Sequence, residues 1–454
     1  MCAADHDLGS RLAALAAWLE SRMAYTGLPG CAVAIVHGQT LVWARGFGDA
    51  DVERKAPVTA DTLFRIASIT KLFTATAIMQ LRDAGRLALD DPLTRHLPWS
   101  QVRRRHADAP AITIRHLVTH TAGLPREAGW PYWTDGRFPT PEALRAALPE
   151  REPPLAAETR WKYSNLALAL AGEVVAAVSG EPYADYVGRH ILEPLGMRDT
   201  LVATPPADHP RLAVGYGRRL PGAPARARAP LTDTRGLTPA AGMTTSLSDL
   251  ARFALFQLGG GAGILRDSTR REMQRVHWLA PDWKTGWGIG FQIDREGDRT
   301  YVGHGGALRG YRTRLRLRPD DAIAVICLTN ADDGDPLAVA QKAFEWVAPA
   351  LVPAAPAPPA PDPGWERYAG RYRSDWADAQ VLVLGGRLVM IDPSLPDPLA
   401  EPSTLVPVAE HTFRIDTRNG FGAHGELVVF ELDADGRVAR VKVGDNYARP
   451  VAAW

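Results

Sequence analysis

The run at residues 353–363, Pro-Ala-Ala-Pro-Ala-Pro-Pro-Ala-Pro-Asp-Pro, limits the possible folds of this chain more than any other stretch. Proline fixes φ and has no N–H to donate, so neither a helix nor the interior of a sheet can pass through it. The composition predicts a semi-rigid extended linker over 351–364. That linker divides the 454 residues into a large unit, 1–350, and a small one, 365–454.

The small unit carries short alternating runs at 380–384, 387–391, 426–432 and 437–443, punctuated by Gly385-Gly386 and Asp435-Gly436. This is the pattern of an antiparallel β domain, and a barrel is the expected closure. The large unit opens with an amphipathic helix over 8–25, followed by a hairpin from strands at 30–37 and 39–47. Three further strands are expected late, at 300–303, 310–318 and 322–329, and a helix over 336–348 returns to cover the sheet. Alternation from Tyr311 to Leu317 predicts one wet face on the second of these strands. Between the two β regions lie helical patterns at 71–84, 114–120, 141–147, 166–179, 184–192 and 247–258. The simplest architecture is an α/β (α+β) domain, its antiparallel sheet assembled from both ends around a helical insertion at about 67–295.

Charge is balanced, with 52 Lys and Arg against 51 Asp and Glu, which offers no electrostatic case for nucleic acid or an anionic membrane. The clusters at Arg103-Arg104-Arg105 and Arg226-Ala227-Arg228 read as solvated loop charges. Of the three cysteines, Cys31 and Cys327 lie in apolar runs and are expected as buried small hydrophobes, while Cys2 is an exposed terminal thiol. No disulfide framework is expected. The first residues are acidic, unlike a signal peptide, and no apolar run reaches the roughly 20 residues that span a bilayer, so a cytoplasmic location is expected.

Three short boxes carry chemistry. In Phe64-Arg65-Ile66-Ala67-Ser68-Ile69-Thr70-Lys71, serine and lysine stand three apart at the head of an apolar helix, on one face. A lysine amine with a depressed pKa can accept the serine proton, and the helix N-terminus adds free N–H groups beside the nucleophile. Trp161-Lys162-Tyr163-Ser164-Asn165 supplies a phenol that a nearby ammonium would hold near phenolate, able to shuttle a proton. Its Asn165 has an amide to offer a substrate carbonyl. Val302-Gly303-His304-Gly305-Gly306-Ala307 is a strand edge bared by glycine, where a ligand can approach the backbone. The N–H groups of Ser68 and Ala307 would form an oxyanion hole there.

In order and spacing these boxes resemble the active-site motifs of class C β-lactamases, D-Ala-D-Ala peptidases and family VIII esterases, the penicillin-binding-protein-like serine hydrolases. Further stretches resemble the same superfamily: residues 62–68, 116–125 (His-Leu-Val-Thr-His-Thr-Ala-Gly-Leu-Pro), 194–197 and 239–243. The resemblance implies Ser68 as nucleophile, Lys71 as its base, Tyr163 as acid and base for the leaving group, and Asn165, His304, Gly305 and Gly306 as substrate-binding residues. His304 stands where many penicillin-recognising enzymes carry a lysine, which shifts the expectation from β-lactam turnover towards esters and amides. The tail from Trp365 to Tyr372 is similar to the lipocalin-like barrels appended to some of these hydrolases.

The expected activity is therefore carboxylester-type hydrolysis of a small-molecule or peptidyl acyl substrate through an acyl-Ser68 enzyme. Rivals are an acyltransferase or peptide cyclase, a D-amino-acid peptidase, and a non-catalytic sensor on the same fold. No metal or organic cofactor is expected: His116 and His120 stand four apart, yet no third ligand accompanies them. The aromatic patch Trp130-Pro131-Tyr132-Trp133 is a candidate wall for the acyl pocket. Oligomeric state is left open.

Overall fold

The computed structural model describes residues 3–103, 108–223, 225–260, 263–352, 362–420 and 422–451, with side chains from residue 6. The chain folds as two compact units, Met1–Val352 and Pro353–Trp454. Most of the expected linker, like Cys2, Arg104 and Arg105, lies outside the described residues.

In the large unit, helix α1 (Ala3–Thr26) precedes β1 (Gly30–His37), β2 (Thr40–Asp51), β3 (Ala56–Pro57) and β4 (Leu63–Arg65). Helix α2 (Thr70–Asp83) then starts the helical region, in which β5 (Thr244–Ser246) pairs with β4. The chain returns through β6 (Trp278–Leu279), β7 (Thr285–Trp287), β8 (Gln292–Glu296), β9 (Arg299–Leu308), β10 (Tyr311–Arg318) and β11 (Ile323–Thr329). The nine-stranded sheet runs β3-β2-β1-β11-β10-β9-β8-β7-β6, so the first strand meets the last where β1 pairs antiparallel with β11. Strands β6 to β8 fall inside the span read as a helical insertion, so that insertion is shorter than expected. The first two are only two and three residues long and flanked by Gly, Pro and charge, too short to show a period of two.

Alternation places the β1 side chains on two faces. Cys31, Val33 and Ile35 pack under α1 and the helix Pro336–Trp346 with Leu15, Leu19 and Val339. Ala32, Ala34 and Val36 face the main core with Phe73, Phe253 and Leu315. Cys31 and Cys327 are fully buried free thiols, their sulfurs 3.5 Å apart.

Two expectations about arginine fail for one reason, long-range cover. The predicted wet face of β10 is wet only at Arg312, whose side chain is 32% exposed: Arg314, Arg316 and Arg318 are at most 8% exposed, with Tyr301 of β9 over Arg316 and Phe344 of the covering helix over Arg318. Their charge is met by Asp294, Glu296 and Asp321. Arg226, read as solvated, is buried and donates to the carbonyls of Thr26, Gly27 and Gly217 and to Asp333.

The small unit is a closed antiparallel barrel, β12 (Gly370–Arg373), β13 (Asp378–Leu384), β14 (Arg387–Ile391), β15 (Ser403–Ala409), β16 (Thr412–Asp416), β17 (Leu427–Leu432), β18 (Val438–Val443) and β19 (Asn446–Pro450), with β12 also pairing β19. Tyr368, Tyr372, Phe413 and Phe430 fill its own core.

Candidate active site

Ser68 sits in a 3-10 turn, Ala67–Ile69, that runs into α2. Ala67 just before it has φ +47°, a left-handed conformation unfavourable for alanine, held because Ile66 is tied through its N–H to the Met243 carbonyl. One turn further on, Lys71 is fully buried. Its Nζ lies 2.9 Å from Ser68 Oγ, 2.9 Å from Asn165 Oδ1 and 2.7 Å from the Ala240 carbonyl. Burial pushes the Lys71 amine well below its ordinary range; Glu127 nearby opposes this and Arg126 adds to it.

Asn165 opens the helix Asn165–Ser179, capped by Ser164, whose side chain accepts from Ala167 N–H and donates to the Pro125 carbonyl. Asn165 lines the cleft, and its amide already has a partner within the protein. It donates to both Glu127 carboxylate oxygens at 3.0 Å, which turns its own oxygen onto Lys71. Tyr132 OH also donates to Glu127, so this tyrosine of the aromatic patch is a buried structural group. Trp133, its neighbour, does line the cleft.

Tyr163 donates its hydroxyl to Ser68 Oγ at 2.9 Å. The reading of a near-phenolate does not hold: burial raises the Tyr163 pKa, so it rests as a phenol. Its ring stacks on His120 at 4.4 Å, and the Arg126 guanidinium lies 4.9 Å from its centroid. His120 is not on a helix with His116, because that helix, Ile114–Val118, ends first and His120 takes φ +59°. Its Nδ1 accepts from Ser164 N–H, while His116 bonds Glu158. Among the described residues no group of three or more His, Cys, Asp or Glu is placed to hold a metal.

The third box lies within β9. Strand β8 pairs β9 only as far as Gly303, so from His304 onward one edge of β9 is open. Leu308 pairs Tyr311 across a two-residue turn. By the alternation of an antiparallel ladder, residues 304, 306 and 308 then bond β10, and Gly305 and Ala307 turn their backbone groups to the open edge. His304 is buried, its Nδ1 donates to the Gly305 carbonyl at 2.6 Å, and among the described residues its Nε2 has no partner. Burial pushes it down to about 3, so it is a neutral imidazole. The glycines do not all bare the strand for ligand. A Cβ on Gly306 would meet Thr313 Oγ1 at 2.1 Å and the Ile66 carbonyl at 2.2 Å, so Gly306 lets β9 close on the turn that carries Ser68.

These groups border a cleft of about 400 Å³ with Trp161, Trp287, Gln292 and Arg314. Trp161 and Trp287 stack at 4.4 Å. Sequence reasoning missed Glu127, Arg126, Trp287, Gln292, Arg314 and the Ala240 carbonyl. Glu127 and Arg126 directly follow the 116–125 stretch, and Trp287 stands between two glycines, the available local signals.

Among known protein families, the beta-lactamase family model matches residues 15–349 of this chain. Esterase EstB of Burkholderia gladioli is 36% identical over 329 residues, covering 63% of this chain and 80% of that protein. A D-stereospecific amidohydrolase from Streptomyces sp. superposes with TM-score 0.63 at 27% identity, covering 73% of this chain and 97% of that one. The octameric penicillin-binding protein homologue from Pyrococcus abyssi shares the fold, with TM-score 0.66 at 23% identity over 96% of this chain and 99% of that one.

Proposed function

The chain belongs to the beta-lactamase family, and from that premise we propose that it hydrolyses small carboxylic esters through an acyl-enzyme on Ser68. One observation carries the reading: Ser68 Oγ lies 2.9 Å from both the Lys71 amine and the Tyr163 hydroxyl. A neutral amine has two N–H bonds and one lone pair. Asn165 Oδ1 and the Ala240 carbonyl can only accept, so they take both N–H bonds and leave the lone pair facing the Ser68 hydroxyl.

Ser68 then attacks the carbonyl carbon as its proton passes to Lys71, while the N–H groups of Ser68 and Ala307 receive the developing oxyanion. As the bond to the leaving oxygen breaks, Tyr163 donates its proton to it and is reprotonated from Lys71. Water repeats the path on the acyl-enzyme and restores the Ser68 hydroxyl. His304 borders the cleft as a neutral imidazole with its Nε2 buried, so it adds no charge beside the substrate.

A second reading, hydrolysis of D-amino-acid amides, is supported by the likeness to the Streptomyces amidohydrolase. Rates on p-nitrophenyl esters and on D- and L-phenylalanine amide rank the two. For the acyl-enzyme, a fluorophosphonate should add once, at Ser68, and Ser68→Ala should abolish both labelling and turnover. Ester turnover surviving in Ser68→Ala would refute it.

A further inference from the structure

The cleft at Ser68 has a continuation that the acyl-transfer chemistry does not use. Arg126, Trp133 and Ala307 line both it and a second hollow of about 850 Å³. Arginines 126, 218, 228, 309 and 312 border this groove against three carboxylates, Glu127, Asp332 and Asp333. Each of those carboxylates already has an arginine: Glu127 has Arg126 at 3.2 Å, Asp332 has Arg312 at 3.2 Å, and Asp333 has Arg226 at 2.5 Å. Arg228 is met from outside the groove by Glu53 and Asp51.

Arg218 and Arg309 are left over. Both are exposed, and among the described residues neither has an ion-pair partner within 4 Å. Arg309 forms the β9–β10 turn, two residues beyond Ala307, so its position is fixed to the strand of the candidate oxyanion hole. The groove also has apolar lining, with Trp133 44% and Leu220 56% exposed and Ala307 and Ala229 beside them, while the Arg126–Glu127 pair and Thr134 supply polar lining near Trp133. Solvent-exposed tryptophan and leucine beside unpaired arginines suit an apolar chain that ends in an anion.

We propose that this groove selects substrates in which an apolar arm, leaving the scissile carbonyl past Ala307, ends in a carboxylate held by Arg309 and Arg218. The inference rests on the acyl-Ser68 reading and names its substrate class. Guanidinium forks match carboxylates in geometry, and a cleft of one sign also raises the local concentration of the opposite charge.

The test uses the full chain and matched esters. Mono-p-nitrophenyl adipate against p-nitrophenyl hexanoate places the charge on the acyl arm, and hexanoyl esters of 4-hydroxybenzoate against 4-hydroxybenzamide place it on the leaving group. The anionic member of one pair should be preferred by about tenfold in kcat/KM at low salt, and the preference should shrink as salt screens it. The double variant Arg218→Glu/Arg309→Glu should lose that preference and gain rate on a trimethylammonium-ended ester, a gain that misfolding does not produce. No anionic preference in either pair, or equal scaling of all substrates in the variant, overturns the proposal. Calorimetry with uncleavable ketone analogues of each pair reads the same preference without chemistry. Binding preference without turnover would sink the acyl-enzyme reading alone; turnover without preference would sink the groove alone.

Discussion

Burying the amine of Lys71 sets the direction in which activity moves with pH. In the proposed mechanism Lys71 takes the Ser68 proton only when neutral, and its pKa lies well below that of an ordinary lysine. So kcat/KM should rise with pH through that lowered value and then stay level, since Tyr163 keeps its proton to higher pH than a free phenol. His304, pushed down to about 3, cannot supply a limb in the usual imidazole range; His304→Gln should leave the acidic limb where it was. Glu127→Gln removes a carboxylate that favours the Lys71 ammonium, so the limb should move to lower pH, and the freed Asn165 amide should cost rate as well. Lys71→Ala should lower kcat by about 10²–10⁴-fold, the span typical of a lost general base. A pH–rate series on wild type and these variants checks all three. The serine and lysine of this network were legible at residue scale, because three residues apart on a helix is a local relation. Glu127 was not, since nothing near it in sequence announces Asn165 across the cleft.

Among elements, the approach of β9 to the Ser68 turn is the contact on which the candidate oxyanion hole depends. Thr313 Oγ1 donates to the Ile66 carbonyl, and Gly306 leaves no room for a methyl between them. Gly306→Ala should therefore cost about 1–3 kcal/mol by overpacking and lower kcat, because it moves Ala307 away from Ser68. Gly188 is the control: a Cβ there meets nothing within 4 Å and its φ is −54°. Gly188→Ala should leave rate unchanged and add up to about 1 kcal/mol of stability. Urea unfolding with ester kinetics on both variants separates packing from chemistry.

At the scale of the whole molecule, each unit has its own hydrophobic core, with Tyr368, Phe413 and Phe430 in the barrel and Phe73, Phe253 and Leu315 in the larger unit. A protease site inserted between Val352 and Asp362 should, once cut, release a large unit that keeps its circular dichroism and its ester turnover; aggregation on cleavage would show that the cores are not independent. Sequence alone determined the longer helices, the central strands and the boxes. Proline excludes regular structure, periods of 2 and 3.6 mark strands and helices, and Ser68, Lys71, Tyr163 and His304 sit at readable spacings, because each of these is a property of neighbours along the chain. Tertiary structure decided what those periods cannot encode. It covered Arg316 and Arg318 of β10 with Tyr301 and Phe344, buried Tyr163 so that its pKa is raised, and set the Asn165 amide on Glu127. Burial and charge at a side chain are set by segments far away along the chain, and only folding brings them there.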